Sequence, residues 1–285
     1  MFDHTRFTRE QLDKEYNLRA RTPDFQDFLD RYAAHSTEAR RTLKCTLDIA
    51  YGKAAGERLD VFHAQRPGSP VLVFIHGGYW QLLDKSDHSF PALGFVPAGC
   101  AVVSINYTLA PAAPMDEIVR QAQAAVAWVC AHAAEFGGDP GRIYVTGHSA
   151  GGHLAAMIPP APTLQARIAP RGGIRGIAPI SGLFDLEPLR HTYQQPVLQL
   201  SEEVARRNSP MHNIPTCGMS LLAAAGSLEP LPFTQGTQDY ASTWNKKGNS
   251  GEAVILPKEH HFSVVLQLAD ADSTLAKAML HQMGL

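Results

Sequence analysis

Apolar positions in the first forty residues recur at helical spacing among charges. Phe25, Phe28, Leu29 and Tyr32 fall three and four apart, the stripe of an amphipathic helix laid on a core. The spacing predicts helices over residues 8–18 and 24–40, the second opened by Thr22-Pro23-Asp24. Such a segment either packs on the main domain as an extension or reaches over an active site as a lid. A lid would bring Tyr16 or Asn17 near the ligand. From Leu43 the period changes to two: Leu43–Ile49 and Arg58–His63 alternate on either side of Tyr51-Gly52-Lys53, the pattern of an antiparallel pair. Short, nearly continuous apolar runs follow at Val71–Ile75, Ala101–Ile105, Ile143–Val145, Gly176–Ile180, Ser220–Ala224 and Ala253–Leu256. Runs without alternation belong to strands buried on both faces.

Helical stretches lie between these runs. In Met115–Phe136, Ile118, Ala122, Ala125, Val126 and Val129 form one apolar stripe, and Gly137-Gly138-Asp139-Pro140 reads as a stop followed by a turn. Strands alternating with helices predict an α/β fold, a mostly parallel, doubly wound sheet with helices on both faces. One interval breaks the alternation. Between Ile180 and Met219 the chain carries Pro188, Pro196, Pro210 and Pro215 around the short helical stretch Glu202–Arg207, an excursion suited to a small cap over the site. The expected organisation is an N-terminal helical extension over residues 1–42 and a main domain over 43–285, with the cap at about 183–215.

Composition narrows the class. With 45% hydrophobic and 18% charged residues in 285, the chain can bury a large core. Lys and Arg total 25 against 27 Asp and Glu, with no basic block, so no nucleic-acid partner is expected. No apolar run approaches the roughly 20 residues of a membrane helix, and Met1–Arg6 shows no secretory pattern. Cys45, Cys100, Cys130 and Cys217 are far apart and read as buried thiols in a reducing, cytoplasmic compartment.

The chemistry is concentrated at strand ends. Gly147-His148-Ser149-Ala150-Gly151 is a G-x-S-x-G match between the strand Arg142–Val145 and the helix-like Gly152–Met157. That context makes it a nucleophile elbow of the α/β-hydrolase fold, with Ser149 lifted above the sheet edge. His76-Gly77-Gly78-Tyr79-Trp80 follows another strand directly. Its glycines let backbone N–H groups turn inward, and fixed donors at a tetrahedral oxyanion lower the barrier by about 3–4 kcal/mol each. The expected donors are the N–H groups of Gly78, Tyr79 and Ala150. A serine needs a base, and the base needs a carboxylate, in the chain order Ser, acid, His. His261 is the expected base, because His-Phe-Ser-Val-Val reads as the start of the last helix; His260 is its alternative. Glu229, the first carboxylate after Ser220–Ala224, is the expected acid, ahead of Asp239 on a helix face and Asp185, which suits an anchor for the cap.

With these residues assigned, the chain resembles the arylformamidases, or kynurenine formamidases, and their bacterial α/β-hydrolase relatives. The resemblance runs through Glu15-Tyr16-Asn17, His76–Trp80, Asn106-Tyr107, Gly147–His153, Ser181–Leu189 and His261-Phe262. It implies Ser149 as nucleophile, His261 as base and Glu229 at the acid position, where the vertebrate members carry aspartate. The implied activity is cofactor-independent cleavage of a small aryl amide or formamide, such as N-formylkynurenine or an N-acyl anthranilate. A carboxylesterase acting on short acyl or aryl esters is the alternative, and a non-catalytic scaffold would be expected to have lost the serine or the histidine. Tyr79, Trp80 and Phe184 are the expected substrate-facing groups, and His153 reads as a packed helix histidine. No metal or nucleotide-cofactor signature accompanies them. The expected partner is a small aryl amide or ester, with no membrane; a homodimer is left open.

Overall fold

The computed structural model describes residues 2–168 and 173–285. The N-terminal segment forms α1 (Arg9–Tyr16), α2 (Leu18–Arg21) and α3 (Phe25–Thr42). Asn17 breaks the expected first helix: it ends α1, and its side-chain oxygen caps α2 by accepting from the Ala20 N–H. Strands β1 (Cys45–Ala50), β2 (Arg58–Phe62), β3 (Ser69–Ile75) and β4 (Ala101–Ile105) follow, with α4 (Pro91–Phe95) before β4. Helix α5 (Met115–His132) tightens into a 3-10 turn at Ala133–Phe136, which left-handed Gly137 terminates.

Strand β5 (Gly138–His148) then runs into α6 (Ala150–Ala156) and α7 (Pro162–Ile168). The expected turn at Gly138-Asp139-Pro140 is instead the start of β5, where Gly138 lies opposite Ser69 of β3. A Cβ there would stand 2.4 Å from Val71 Cγ2, so the glycine serves close strand approach. Strand β6 (Ile174–Ile180) leads into the proline-rich interval, which forms only 3-10 turns and the short helices α8 (Gln195–Leu198) and α9 (Glu202–Arg207). Strand β7 (Ser220–Gly226), α10 (Leu231–Lys246), β8 (Ser250–Leu256) and α11 (Thr274–Gln282) complete the chain.

Among the described residues, eight strands form one sheet in the order β1-β2-β4-β3-β5-β6-β7-β8. The β1–β2 and β2–β4 pairs are antiparallel, and the remaining pairs are parallel. This is the mostly parallel α/β-hydrolase sheet that the apolar runs imply. The core divides by strand period. Val71, Val73 and Ile75 join α5, α6 and α10 on one face, while Leu72 and Phe74 join α3, α4 and α11 on the other.

A buried ion cluster fixes the loop that follows β3. Lys85 Nζ lies 2.7 Å from Asp48 and 2.9 Å from Asp60, and both Lys85 and Asp60 are buried. Removing one partner of a buried pair strands the other charge, at about 3–5 kcal/mol. Lys85→Ala should therefore destabilise the fold by about 3 kcal/mol, since Asp60 retains the Asp48 N–H. A urea unfolding midpoint that falls at unchanged slope would read this loss directly.

Candidate active site

The chain enters the site at the end of β5, and glycine makes the entry feasible. A Cβ on Gly151 would stand 2.0 Å from the Ile75 carbonyl oxygen, and one on Gly147 would stand 2.3 Å from that of Gly151. Between them Ser149 adopts φ 57° and ψ −118°, a strained left-handed geometry. Its N–H donates to the Ile180 carbonyl at 2.9 Å. The turn is thereby fixed to β6 as well as to β3.

The loop after β3 crosses this turn. A Cβ on Gly77 would lie 3.3 Å from Ser149 Cβ, so the loop passes against the Ser149 turn itself. Gly78, Tyr79 and Trp80 all have positive φ (103°, 52° and 58°), and the Gly78 carbonyl accepts from the N–H groups of Gln81 and Leu82. His76 stacks on Tyr107 with ring centroids 4.4 Å apart and bonds through Nδ1 to the Gly77 carbonyl at 2.8 Å. Burial pushes its pKa down to about 4, so at neutral pH it is an uncharged brace for the loop.

Glu229 and His261 come together from the ends of β7 and β8. His261 Nδ1 lies 2.7 Å from Glu229 Oε2, and both residues are buried. The second carboxylate oxygen, Oε1, accepts from the Gly226 N–H at 2.7 Å and the Ser181 hydroxyl at 2.5 Å. Ser181, the first residue after β6, was not singled out as a site residue in the sequence. Its position at the carboxyl end of a central parallel strand is the signal that could have found it.

His260 does other work. Its Nδ1 accepts from the N–H groups of Phe262 and Ser263, and its ring stands edge-on to Phe28 at 4.6 Å. His261 opens no α-helix; a 3-10 stretch, Val264–Ala269, follows it, and α11 starts only at Thr274. The other carboxylates stand apart from His261. Asp185 accepts from the Glu187 N–H within the cap, and Asp239 accepts from Gln235 on α10.

Ser149 and His261 line one cavity of about 330 Å³. Gly78 and Tyr79 belong to its wall, as do Leu82 and Leu83 from the same loop, Tyr193 and Val197 from the cap, and Leu18, Leu29 and Tyr32 from the N-terminal helices. Ala150 is buried at the start of α6. Three segments distant in sequence thus enclose the serine and histidine in a mostly apolar space.

This constellation can be compared with known proteins. The BD-FAE family profile matches residues 59–168. The kynurenine formamidase of Danio rerio is 33% identical over 87% of this chain and 85% of its own length. That of Salmo salar is 35% identical over 87% of this chain and 85% of its own. The chain belongs to the kynurenine formamidase family. The crystal structure of a candidate thioesterase from Silicibacter superposes on this chain with a TM-score of 0.84 at 31% identity, covering 95% of this chain and 99% of the other. The protein is an α/β-hydrolase-fold enzyme of the esterase and amidase type, and its substrate is a small molecule.

Two expected substrate-facing residues lie elsewhere in this family member. Trp80 is completely buried against His153, with ring centroids 5.0 Å apart in a T-shaped pair, and does not line the cavity. Consecutive left-handed residues send the side chains of Tyr79 and Trp80 in different directions. Phe184 stacks on Tyr240 at 4.3 Å and borders a separate small cavity beside Asp185 and Met211. His153 is a packed histidine, bonded through Nε2 to the Asn208 carbonyl at 2.7 Å and pushed down to about 4 by burial. Among the described residues one possible metal-ligand group exists, His4, Glu187 and His191, with donor atoms within 4.8 Å. It lies outside the cavity, and Arg190 already pairs with its carboxylate. No helix among the described residues is long and apolar enough to cross a membrane.

The Ser181 contact is open to direct test. Ser181→Ala leaves Glu229 Oε1 with one donor in place of two, and a hydrogen bond to a charged group contributes about 1.5–3 kcal/mol. Turnover should fall by about tenfold, equivalent to 1.4 kcal/mol, with an unchanged circular dichroism spectrum. Full activity would mean that the Gly226 N–H alone holds the carboxylate.

Proposed function

We propose that the protein hydrolyses a small aryl formamide or amide, of the N-formylkynurenine or N-acyl anthranilate kind, through an acyl-enzyme on Ser149. The observation that carries this reading is the buried His261–Glu229 pair, 2.7 Å apart, whose histidine shares one mainly apolar cavity with strained Ser149. Its kinship with the two fish kynurenine formamidases adds the substrate class.

In this reading His261 Nε2 takes the Ser149 hydroxyl proton as Oγ attacks the formyl carbon. The N–H groups of Gly78, Tyr79 and Ala150 hold the oxyanion, and Glu229 steadies the imidazolium through Nδ1. Collapse of the tetrahedral intermediate breaks the C–N bond, and His261 returns its proton to the departing aryl amine. Water, deprotonated by the same imidazole, then cleaves the formyl ester to formate and free Ser149. Tyr79 and the apolar wall would hold the aryl group.

Ser149→Ala should lower turnover by about 10³-fold or more while the fold persists. His261→Ala should match it, and His260→Ala should cost far less, because His260 bonds only its own loop. Near wild-type turnover in Ser149→Ala would refute the nucleophile. Glu229→Gln should lower the maximal rate by several orders of magnitude yet leave Ser149 reactive to a fluorophosphonate, with Asp185→Asn and Asp239→Asn as controls.

Substrate choice is tested by steady-state rates on N-formylkynurenine, N-acyl anthranilates and p-nitrophenyl acetate. Turnover of all the amides is the expected result. Ester turnover without amide turnover would make the enzyme a carboxylesterase, the reading that the candidate thioesterase relative favours.

A further inference from the structure

We propose that Arg19 is a specificity-determining residue, which binds a carboxylate on the substrate at the end remote from the bond being cleaved. The inference rests on the hydrolase reading above and concerns which small molecules that site accepts.

The cavity wall is electrically one-sided. Among the residues that line it, Arg19 carries the one permanent charge, and no aspartate or glutamate is present. Glu229 sits behind His261, engaged by its three donors. Besides His261, which pairs with Glu229, two histidines line the wall and are held neutral by burial: His88 is pushed down to about 3 and His148 well below the usual imidazole range. A wall with one cation and no anion favours an anionic ligand group.

The guanidinium is both held and available. Its Cζ lies 5.3 Å from the centroid of the Phe25 ring, over the face. A guanidinium held against a ring face in this way has five N–H donors for other partners. Nearby acids are already committed: Glu15 pairs with Arg21 at 3.2 Å, and Asp13 accepts from the Tyr193 N–H at 2.7 Å. Among the described residues no ion pair engages Arg19 itself.

Arg19 is also fixed relative to the reaction centre. Three residues before it, the Tyr16 carbonyl accepts the hydroxyl of Tyr79 at 2.7 Å and that of Tyr193 at 3.3 Å. Tyr79 belongs to the loop beside Ser149, so the segment carrying Arg19 is fastened to the cavity wall that flanks the serine. A rigid aryl substrate acylating Ser149 at one end would then meet a cation on the N-terminal part of the same cavity wall.

The test is a binding measurement that needs no turnover. In the Ser149→Ala protein, calorimetry compares 4-formamidophenylacetate with its neutral isostere, 4-formamidophenylacetamide. The carboxylate should bind about threefold more tightly, the range of a single ion pair at an exposed arginine. The preference should shrink at high salt. Arg19→Gln should bring the ratio to about one, and Arg19→Lys should keep part of it. The same variant with Ser149 restored should raise KM for carboxylate-bearing substrates and leave kcat and p-nitrophenyl acetate turnover unchanged. Equal affinities in the Arg19 protein, a ratio untouched by Arg19→Gln, or binding of neither ligand would each overturn the assignment. Failure of the formamidase reading is distinguishable, since it appears as absent formamide turnover while the binding ratio persists.

Discussion

The site depends on one close approach of backbone to backbone. Ile75 ends β3 opposite Gly147 of β5, and the helix after Ser149 passes over the Ile75 carbonyl with no room for a methyl group at Gly151. Were α6 displaced by even the radius of a Cβ, Ser149 would leave the strand end and the loop carrying Gly77 and Gly78 would lose its support. The left-handed backbone of Ser149, Tyr79 and Trp80 is the visible consequence. Each such residue costs about 1–3 kcal/mol and persists only where its surroundings over-determine it. Here the surroundings are β3, buried throughout, and the buried 143–148 half of β5.

The second requirement is a buried carboxylate held in one position. Buried polar groups are costly unless they are hydrogen-bonded. Glu229 has three partners of different kinds: a backbone N–H from its own turn, a hydroxyl from the end of the neighbouring strand, and an imidazole. Only the last can exchange a proton. The first two hold the carboxylate in place whichever form the imidazole adopts, which is what a positioning partner must do across a reaction cycle. His148, 4.5 Å from the His261 ring, stays uncharged through burial and so adds no competing positive charge.

The strands could be read from sequence because burial on both faces removes alternation, leaving apolar runs that nothing else explains. The pairing of Glu229 with His261 and their shared strand-end setting with Ser149 were legible because each residue lies a few positions past one of those runs. What escaped depends on contacts between distant segments. Ser181 looks like any serine after a strand until Glu229 reaches it across 48 positions. Trp80 looks like an aromatic partner of Tyr79, and only the positive φ of both residues reveals that their side chains part. The glycine at 138 reads as a turn because its neighbour Val71, across the β3–β5 pair, is invisible in a local pattern. The apolar run Val264–Leu268 reads as a helix, yet it packs as a tighter 3-10 coil, and Ser273 caps the true α11.

The proposed chemistry and the rest of the cavity wall therefore reside in different parts of the chain. Strand ends, which cannot move without breaking the sheet, hold Ser149, His261, Glu229 and the loop of Gly77 and Gly78. The rest of the cavity wall comes from α2, α3 and the cap, which contain none of those groups. Gln81 donating to Gln194 and Tyr32 donating to the Phe262 carbonyl link the two parts, as does the Tyr16 carbonyl, which accepts the Tyr79 and Tyr193 hydroxyls. Because one donor comes from the loop at Ser149 and the other from the cap, neither can shift without disturbing a bond at the same oxygen. The N-terminal segment is thus a wall bound to the reaction centre rather than a free lid. Changes to its side chains can retune what the cavity admits while the strand-end machinery, held by the glycine contacts, stays as it is.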